Sequence, residues 1–392
     1  MKKLTVLTII TAIFCSTLNA QIISSKEEPS SSQSQQQRLR WGAYGEVKFT
    51  QPLSDKVRNN ASLDVHRIVL LMGYQFSDRL NFVTEIEVEH VNEIYLEQAY
   101  LNYRFSEYFN IRGGLVLIPV GIVNEIHEPT TFNGVNRPII DKKIIPSTWR
   151  EIGFGITGNI PEASLKYQAY IVNGFLGYDG EGTIDAANGL RSARQKGARS
   201  VMSSPNFTGR ISYYGLPGLE IGLSAFAGNS ESTKFNGIKK GNDDALRSAD
   251  STVVGIALIA ADLDYKLAGF GLRAQYVYGS LSNTLQYNTA TGQDIGSSLY
   301  GYYAELSYNV LRLLNAGSAD LRPFFRYARY NTQNSVETII IANDQYDVTQ
   351  LTFGIGYKIT PEAVVKADYQ LYKTAAMDDY KNYLNLGIGF AF

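Results

Sequence analysis

Residues 383–392 read YLNLGIGFAF. In an extended chain Leu384, Leu386, Ile388, Phe390 and Phe392 fall on one face, and Tyr383, Asn385, Gly387, Gly389 and Ala391 on the other, because successive strand side chains point to opposite sides. One face suits lipid and the other suits water, which is the dyad pattern of a transmembrane strand.

The same pattern recurs upstream. From Arg40 onward sixteen such segments are readable: 40–49, 63–76, 80–90, 93–105, 109–118, 149–158, 163–173, 206–215, 218–227, 252–267, 270–280, 298–311, 320–331, 346–359, 363–373 and 382–392. Ile152, Phe154 and Ile156 are expected to face outward in the sixth, and Leu351, Phe353, Ile355 and Tyr357 in the fourteenth. Tyr74, Tyr103, Tyr278 and Tyr357, near strand ends, read as an interfacial aromatic girdle. Every second connection is tight, as at Ser77–Arg79 or Thr360–Glu362, while 174–205, 228–251, 281–297 and 332–345 are long and polar. Short turns on one side and long loops on the other are expected of an all-β, transmembrane antiparallel β-barrel of about 16 strands, whose closure leaves no unpaired edge in lipid. A β-sandwich or propeller would instead need polar residues on its outer faces. Phe392 at the end of the last strand resembles the assembly signal of outer-membrane barrels.

Composition agrees with an exported β protein: 27 tyrosines, 18 phenylalanines and 35 glycines supply strand formers and turns. Lys2 and Lys3 precede the apolar run Leu4–Phe14, and Ala20 is a small residue before a cleavage point, so 1–20 reads as a signal peptide. The sole cysteine, Cys15, leaves with it. Residues 21–39, rich in Ser and Gln, read as a periplasmic lead segment with little to bury, and 40–392 as the barrel. Loss of Lys2 and Lys3 moves the formal charge from −1 to −3, which argues against nucleic acid as a partner.

One connection departs from the rule. Between Pro119 and Thr148 lie Val120, Ile122, Val123, Ile126, Phe132, Val135, Ile139, Ile140, Ile144 and Ile145. Leaving them in water forgoes roughly 1.5–3 kcal/mol apiece, so the segment must pack on something. Folding inward as a constriction loop over 119–148 is the preferred solution; a lid or a subunit contact are the others. Its charged residues Glu125, Glu128, Arg137, Asp141, Lys142 and Lys143, with Arg150 just beyond, would then project into the channel and filter by size and charge. His127 beside Glu128 invites a metal reading. With His66 and His90 the only other histidines, no HExxH spacing exists, so no metal ligand and no cofactor are assigned. Nor is there a GxSxG nucleophile motif.

Alternation also directs Arg104, Arg112, Arg210, Arg273, Arg322 and Arg326 into the lumen, opposed by acids that include Glu85, Glu87 and Glu89 on one strand. A second cationic run, Arg191, Arg194, Lys196 and Arg199, reads as an anion-concentrating mouth, or equally as a lipopolysaccharide contact or a solvated loop.

The blocks GLVLIPVGIVNEIHEP, FNGVNRP and IIPSTWREIGFGITG resemble the phosphate-selective porin O and P family of Gram-negative outer membranes. The resemblance implies a sixteen-stranded, usually trimeric channel with an inward loop, passing small hydrophilic solutes, including anions such as phosphate, down their gradients. It implies a ladder of inward arginines and a lysine-bearing constriction, here Lys142 and Lys143. Acids interrupt this lumen, so the channel is better marked than its preference for phosphate. Expected partners are outer-membrane lipid and lipopolysaccharide, small solutes and two further copies of the chain. The second reading is a barrel whose extracellular loops bind or adhere; a hydrolase lacks a legible nucleophile and base.

Overall fold

Sixteen strands close on themselves in a computed structural model that describes residues 38–314, 319–338 and 340–392. The expected leader 1–20 and all but the end of segment 21–39 lie outside the described residues. The strands are β1 (Leu39–Leu53), β2 (Ser62–Gln75), β3 (Leu80–Glu89), β4 (Glu93–Arg104), β5 (Asn110–Leu117), β6 (Arg150–Ile160), β7 (Leu165–Val172), β8 (Leu176–Tyr178), β9 (Asn206–Leu216), β10 (Leu219–Asn229), β11 (Glu231–Ser232), β12 (Gly255–Leu267), β13 (Phe270–Ser282), β14 (Ser298–Tyr308), β15 (Asp320–Ser335), β16 (Asp347–Thr360), β17 (Ala363–Thr374) and β18 (Lys381–Ala391). All but β8 and β11 form the barrel, each antiparallel to its neighbours, and β1 pairs with β18 to close it. The sixteen expected segments coincide with the sixteen barrel strands, differing at either end by at most four residues.

The alternation holds as read. Ile152, Phe154, Ile156, Phe353, Ile355, Leu384, Leu386 and Ile388 are exposed outward, whereas Asn385 is fully buried. Tyr74, Tyr103, Tyr278 and Tyr357 also stand outward.

The long connections carry more structure than their polarity implies. Residues 174–205 contain β8, and 228–251 contain β11, which pairs in parallel with it. Helix α2 (Asp243–Asp250) follows; Asn242 accepts from the Ala245 N–H, with Asp243 and Asp244 in the first turn and Arg247 in the last. Those are favourable cap and dipole placements. Helix α3 (Thr284–Thr291) occupies 281–297.

One puzzle of the sequence resolves here. Residues 252–267 read as apolar on both faces in their first half, as if a subunit contact lay there. In β12 the outward residues are Ala257, Ile259 and Ala261, while Ile256, Leu258 and Ala260 are buried inside. Their inward face belongs to a core shared with the segment between β5 and β6.

Candidate functional site

Residues 119–148 fold into the lumen, and wall side chains from β2, β10, β13, β15 and β17 hold the backbone there. The Gly121 N–H donates to Ser224 Oγ (3.1 Å), that of Ile122 to Gln275 Oε1 (2.9 Å), and that of Val135 to Asp368 Oδ2 (2.6 Å). Loop carbonyls accept from the wall in turn. His127 O takes Arg67 Nη2 (2.5 Å), Thr131 O takes Arg273 Nη2 (3.1 Å), and Phe132 O takes Lys366 Nζ (2.8 Å). Asn133 O and Asn136 O both accept from Arg326 (2.6 and 3.2 Å). An irregular chain inside a membrane protein must find partners for its backbone groups, and these wall residues are the partners. Gly121 adopts φ +72°, and a Cβ there would lie 2.5 Å from Ile145 Cδ1, so the close turn into the lumen requires glycine.

The loop's apolar side packs against the other wall. Of its ten large apolar residues, eight are buried, Ile139 is half-buried and Ile126 is exposed. Helix α1 (Ile140–Lys143) sets Ile140 and Ile144 beside Gly301 of β14, where a Cβ would come within 3.0 Å of them. Trp149, fully buried, stacks on Phe175 at 4.6 Å between ring centroids and lies 4.8 Å from Phe226. The same core runs on through Ile184, Leu190, Tyr287 and Ile295 of the long connections. Loop and long connections thus fill the β9–β15 side of the barrel.

A polar cavity of about 390 Å³ remains beside β1–β3. Lys48, Asp64, His66, Glu89, His90, Arg137, Lys142 and Arg191 give it its charge. Burial, then the nearby Arg191 guanidinium, push the Lys142 ammonium below its ordinary value; burial, then Arg67, do the same to Arg137. Acids stand close as well, since Lys48 pairs with Glu46 (3.3 Å).

Comparison with known proteins agrees with this architecture. The family model described as phosphate-selective porin O and P matches residues 40–335. The chain belongs to that family. An uncharacterized protein of Aquifex aeolicus (strain VF5) is 35% identical over 359 residues, covering 87% of this chain and 76% of its own. Among solved structures, the outer membrane channel DcaP of Acinetobacter baumannii is 12% identical with a TM-score of 0.59, covering 90% of this chain and 97% of its own. An anion-selective porin from Comamonas acidovorans is 12% identical with a TM-score of 0.56, covering 90% and 98%. At such identities the solved structures speak for the fold. The chain is therefore an outer-membrane porin, a channel for small solutes, and its long connections lie on the extracellular side.

Within the porin, the candidate residues take different places. Arg137 and Lys142 line the vestibule. Glu125 lies against β7, accepting from Gln168 Nε2 at 2.8 and 2.9 Å, and Glu128 is half-buried against the wall. Lys143 donates to the Ala187 carbonyl (2.7 Å), tying the loop to an extracellular connection. Arg150 is buried, donating to Thr148 and lying over the Tyr95 ring. None of these last four lines the open cavity.

The expected arginine ladder is differently employed. Arg210 grips Asp262 with two bonds (2.6 and 2.7 Å), Arg273 pairs with Asp264 (2.6 Å), and Arg326 with Glu305 (2.7 Å). Arg322 pairs with Asp320, Arg112 lies over the Tyr100 ring and donates to Tyr170, and Arg104 donates to the Asp78 carbonyl at the periplasmic rim. Four acids, Asp262, Asp264, Glu305 and Asp320, are thus partners of four of these cations, and Arg210, Arg273 and Arg326 also donate to loop carbonyls, Arg210 to that of Gly121 (3.4 Å). The cationic run at 191–199 likewise serves the loop: Arg191 and Arg194 donate to carbonyls of the 146–148 segment.

Lys48, Asp64, His66, Glu89 and His90 line the vestibule without having been singled out as a set. Inward alternation was the available signal for Lys48 and Glu89. The meeting of His90, in the β3–β4 turn, with Asp64 on β2 (2.9 Å) is visible only once the strands pair. The absence of HExxH spacing likewise concealed two groups of metal-ligating type, Asp64–His66–His90 and Glu85–Glu97–His127.

Asp141, on α1, couples the loop to pH. It is fully buried; Gln275 donates to Oδ1 (2.8 Å), while Oδ2 has no partner. Burial pushes its carboxyl up from 3.8 to about 7. A raised folded value means the seated loop favours the neutral acid, so the stabilisation is complete below about 3.8 and is lost as pH rises through about 7. Protection of amides over 119–148, relative to their intrinsic base-catalysed exchange rates, should fall between pH 5 and pH 8 in the native porin. Asp141→Asn should flatten that dependence.

Proposed function

We propose that the porin passes small anions in preference to cations and that the vestibule beside β1–β3 makes the selection. The carrying observation is the charge of its lining: Lys48, Arg137, Lys142 and Arg191 face Asp64 and Glu89, and Asp64 is already shared by two histidines. A polar chamber with low-dielectric walls concentrates the counter-ion of its net charge. Arg137 and Lys142 carry the preference, whereas Glu125, Glu128, Lys143 and Arg150 shape the loop. Because the lumen arginines are engaged with acids and loop carbonyls, a general anion preference is favoured over a dedicated phosphate ladder.

The test is the reversal potential of purified porin in planar bilayers across a salt gradient. An anion-selective sign is expected, and Arg137→Glu with Lys142→Glu should move it toward cations, while Glu125→Gln should leave it in place. A native reversal potential indicating cation preference, or none, would overturn the reading.

The porin is also proposed to work as a homotrimer in outer-membrane lipid, with lipopolysaccharide around its outer rim. On the outward face from β7 to β12, Ala169, Ala225, Ala227, Ala257 and Ala261 alternate with Phe207, Leu223 and Ile259, an apolar surface on which a second barrel would pack. Native mass spectrometry of detergent-extracted protein distinguishes trimer from monomer. The reading is of a channel and not of an enzyme; turnover of lipid or peptide substrates by the purified protein would reverse that part.

A further inference from the structure

Beneath the loop, against β3 and β4, lies an ionisable cluster that the vestibule does not use. Glu85, Glu97 and His127 each bring one ligating atom within 4.8 Å of the others. Their exposures are 7%, 0% and 3%. His127 Nδ1 is 3.0 Å from the Asn124 carbonyl oxygen, which can only accept, so Nδ1 carries a hydrogen. In the neutral ring Nε2 then keeps its lone pair, and it faces Glu97 Oε2 at 3.1 Å. A contact at that distance is made by a proton on the ring or on the carboxyl, or by a cation held between the two.

Tyr44 supplies part of what is needed. Its hydroxyl lies 2.8 Å from Glu97 Oε2 and 2.9 Å from His127 Nε2, but it has one hydrogen to give. Gln98 serves one oxygen of Glu85 (2.8 Å). Glu85 Oε2, Glu97 Oε1 and Glu128 Oε2 are buried without a hydrogen-bond partner. Arg67, the neighbouring guanidinium, donates to Glu46 and the His127 carbonyl, while its Nη1 stands 3.8 Å from Glu87 without a hydrogen-bond partner. Unpaired carboxylate oxygens in an interior are among the costliest arrangements a protein can hold, and a bound cation relieves them. The vestibule cluster differs: both Asp64 oxygens are paired with histidine nitrogens, so ordinary hydrogen bonds account for it.

We propose that Glu85, Glu97 and His127 hold a divalent first-row transition ion, zinc being the natural probe. One imidazole with two carboxylates is a donor set such ions accept, and two ionised carboxylates balance its charge. The Nδ1–H bond to Asn124 is the orienting contact that metal-binding histidines show. Because Glu85 and Glu97 belong to the wall and His127 to the loop, the ion cross-links loop to wall. Loop seating thereby becomes metal-dependent.

The experiment uses the full-length folded porin, equilibrated with zinc and passed into metal-free buffer, followed by elemental analysis and by cobalt substitution with visible absorption. About one ion per chain is expected, with cobalt bands typical of nitrogen and oxygen ligands. Glu97→Gln and His127→Gln should lose both, while Asp64→Asn keeps them. As a readout independent of the variants folding, removing the ion from native porin with a chelator should speed hydrogen exchange over 119–148, and zinc should restore it. Absence of bound metal in the native protein, or retention by both Glu97→Gln and His127→Gln, would overturn the site in favour of a shared proton. Loss only in Asp64→Asn would overturn it in favour of the vestibule.

Discussion

Excising residues 122–144 and bridging the gap with a short Gly-Ser linker should raise single-channel conductance severalfold. A sixteen-stranded barrel encloses a lumen wide enough for water, and here the loop with its apolar core occupies much of that space. The wall does not depend on the loop for its register, because β5 pairs with β6 from Asn110↔Thr157 to Leu117↔Arg150 through strand hydrogen bonds alone. Closure should therefore survive. Removal would expose an inward apolar surface that includes Phe226, Ile256, Leu258 and Val277, so the deleted protein should also unfold at a lower temperature. Planar-bilayer recordings read the first effect and heat-dependent gel migration the second. Conductance unchanged from the native level would mean that the loop does not limit flow, and a binding role for the extracellular loops would gain.

Arg326→Ala should produce the largest effect of a single substitution. The guanidinium is 1% exposed, pairs with Glu305 and donates to the carbonyls of Asn133 and Asn136. Truncation leaves two loop carbonyls without partners and a buried carboxylate without its counter-charge, holding only the Asn133 Nδ2 bond (2.9 Å), a loss on the order of 3–5 kcal/mol. Its expected signature is a loop that leaves its seat, seen as noisy, enlarged conductance and as proteolytic cleavage within 119–148. Arg326→Lys should rescue little, since an ammonium cannot span the carboxylate and both carbonyls as the planar fork does. Arg326→Met with Glu305→Gln should restore barrel stability but not the loop, because the two carbonyls stay unpaired. Recovery of quiet, native conductance in that double variant would contradict the assignment of Arg326 as a loop clamp.

These two experiments touch features of very different legibility. Each strand was readable because its determinants are local: period-two alternation sorts Ile152, Phe154 and Ile156 from Glu151, Gly153 and Gly155 without reference to any other strand. The loop was readable as apolar and too long for the same reason, whereas its choice of the lumen over a lid or a subunit contact rests on its bonds to the wall. The employment of the lumen cations was not readable. Direction alone makes Arg210, Arg273 and Arg326 a ladder, and only their pairing with Asp262, Asp264 and Glu305 and their bonds to loop carbonyls make them clamps. Nor could the sequence say what covers the inner apolar face of β12, which packs in a core shared with a loop more than a hundred residues earlier.

By itself, then, the sequence determined the sixteen strands, which face of each meets lipid, where the chain leaves the wall, and the family resemblance carried by that excursion. Tertiary structure decided which inward charges neutralise one another, which hold the loop, and which remain to face solute. It brought Val135 to Asp368 and His127 to Glu97. The physical reason is range. Strand facing follows from neighbours along the chain, whereas the field inside a closed barrel is set by side chains that meet only after every strand has found its register.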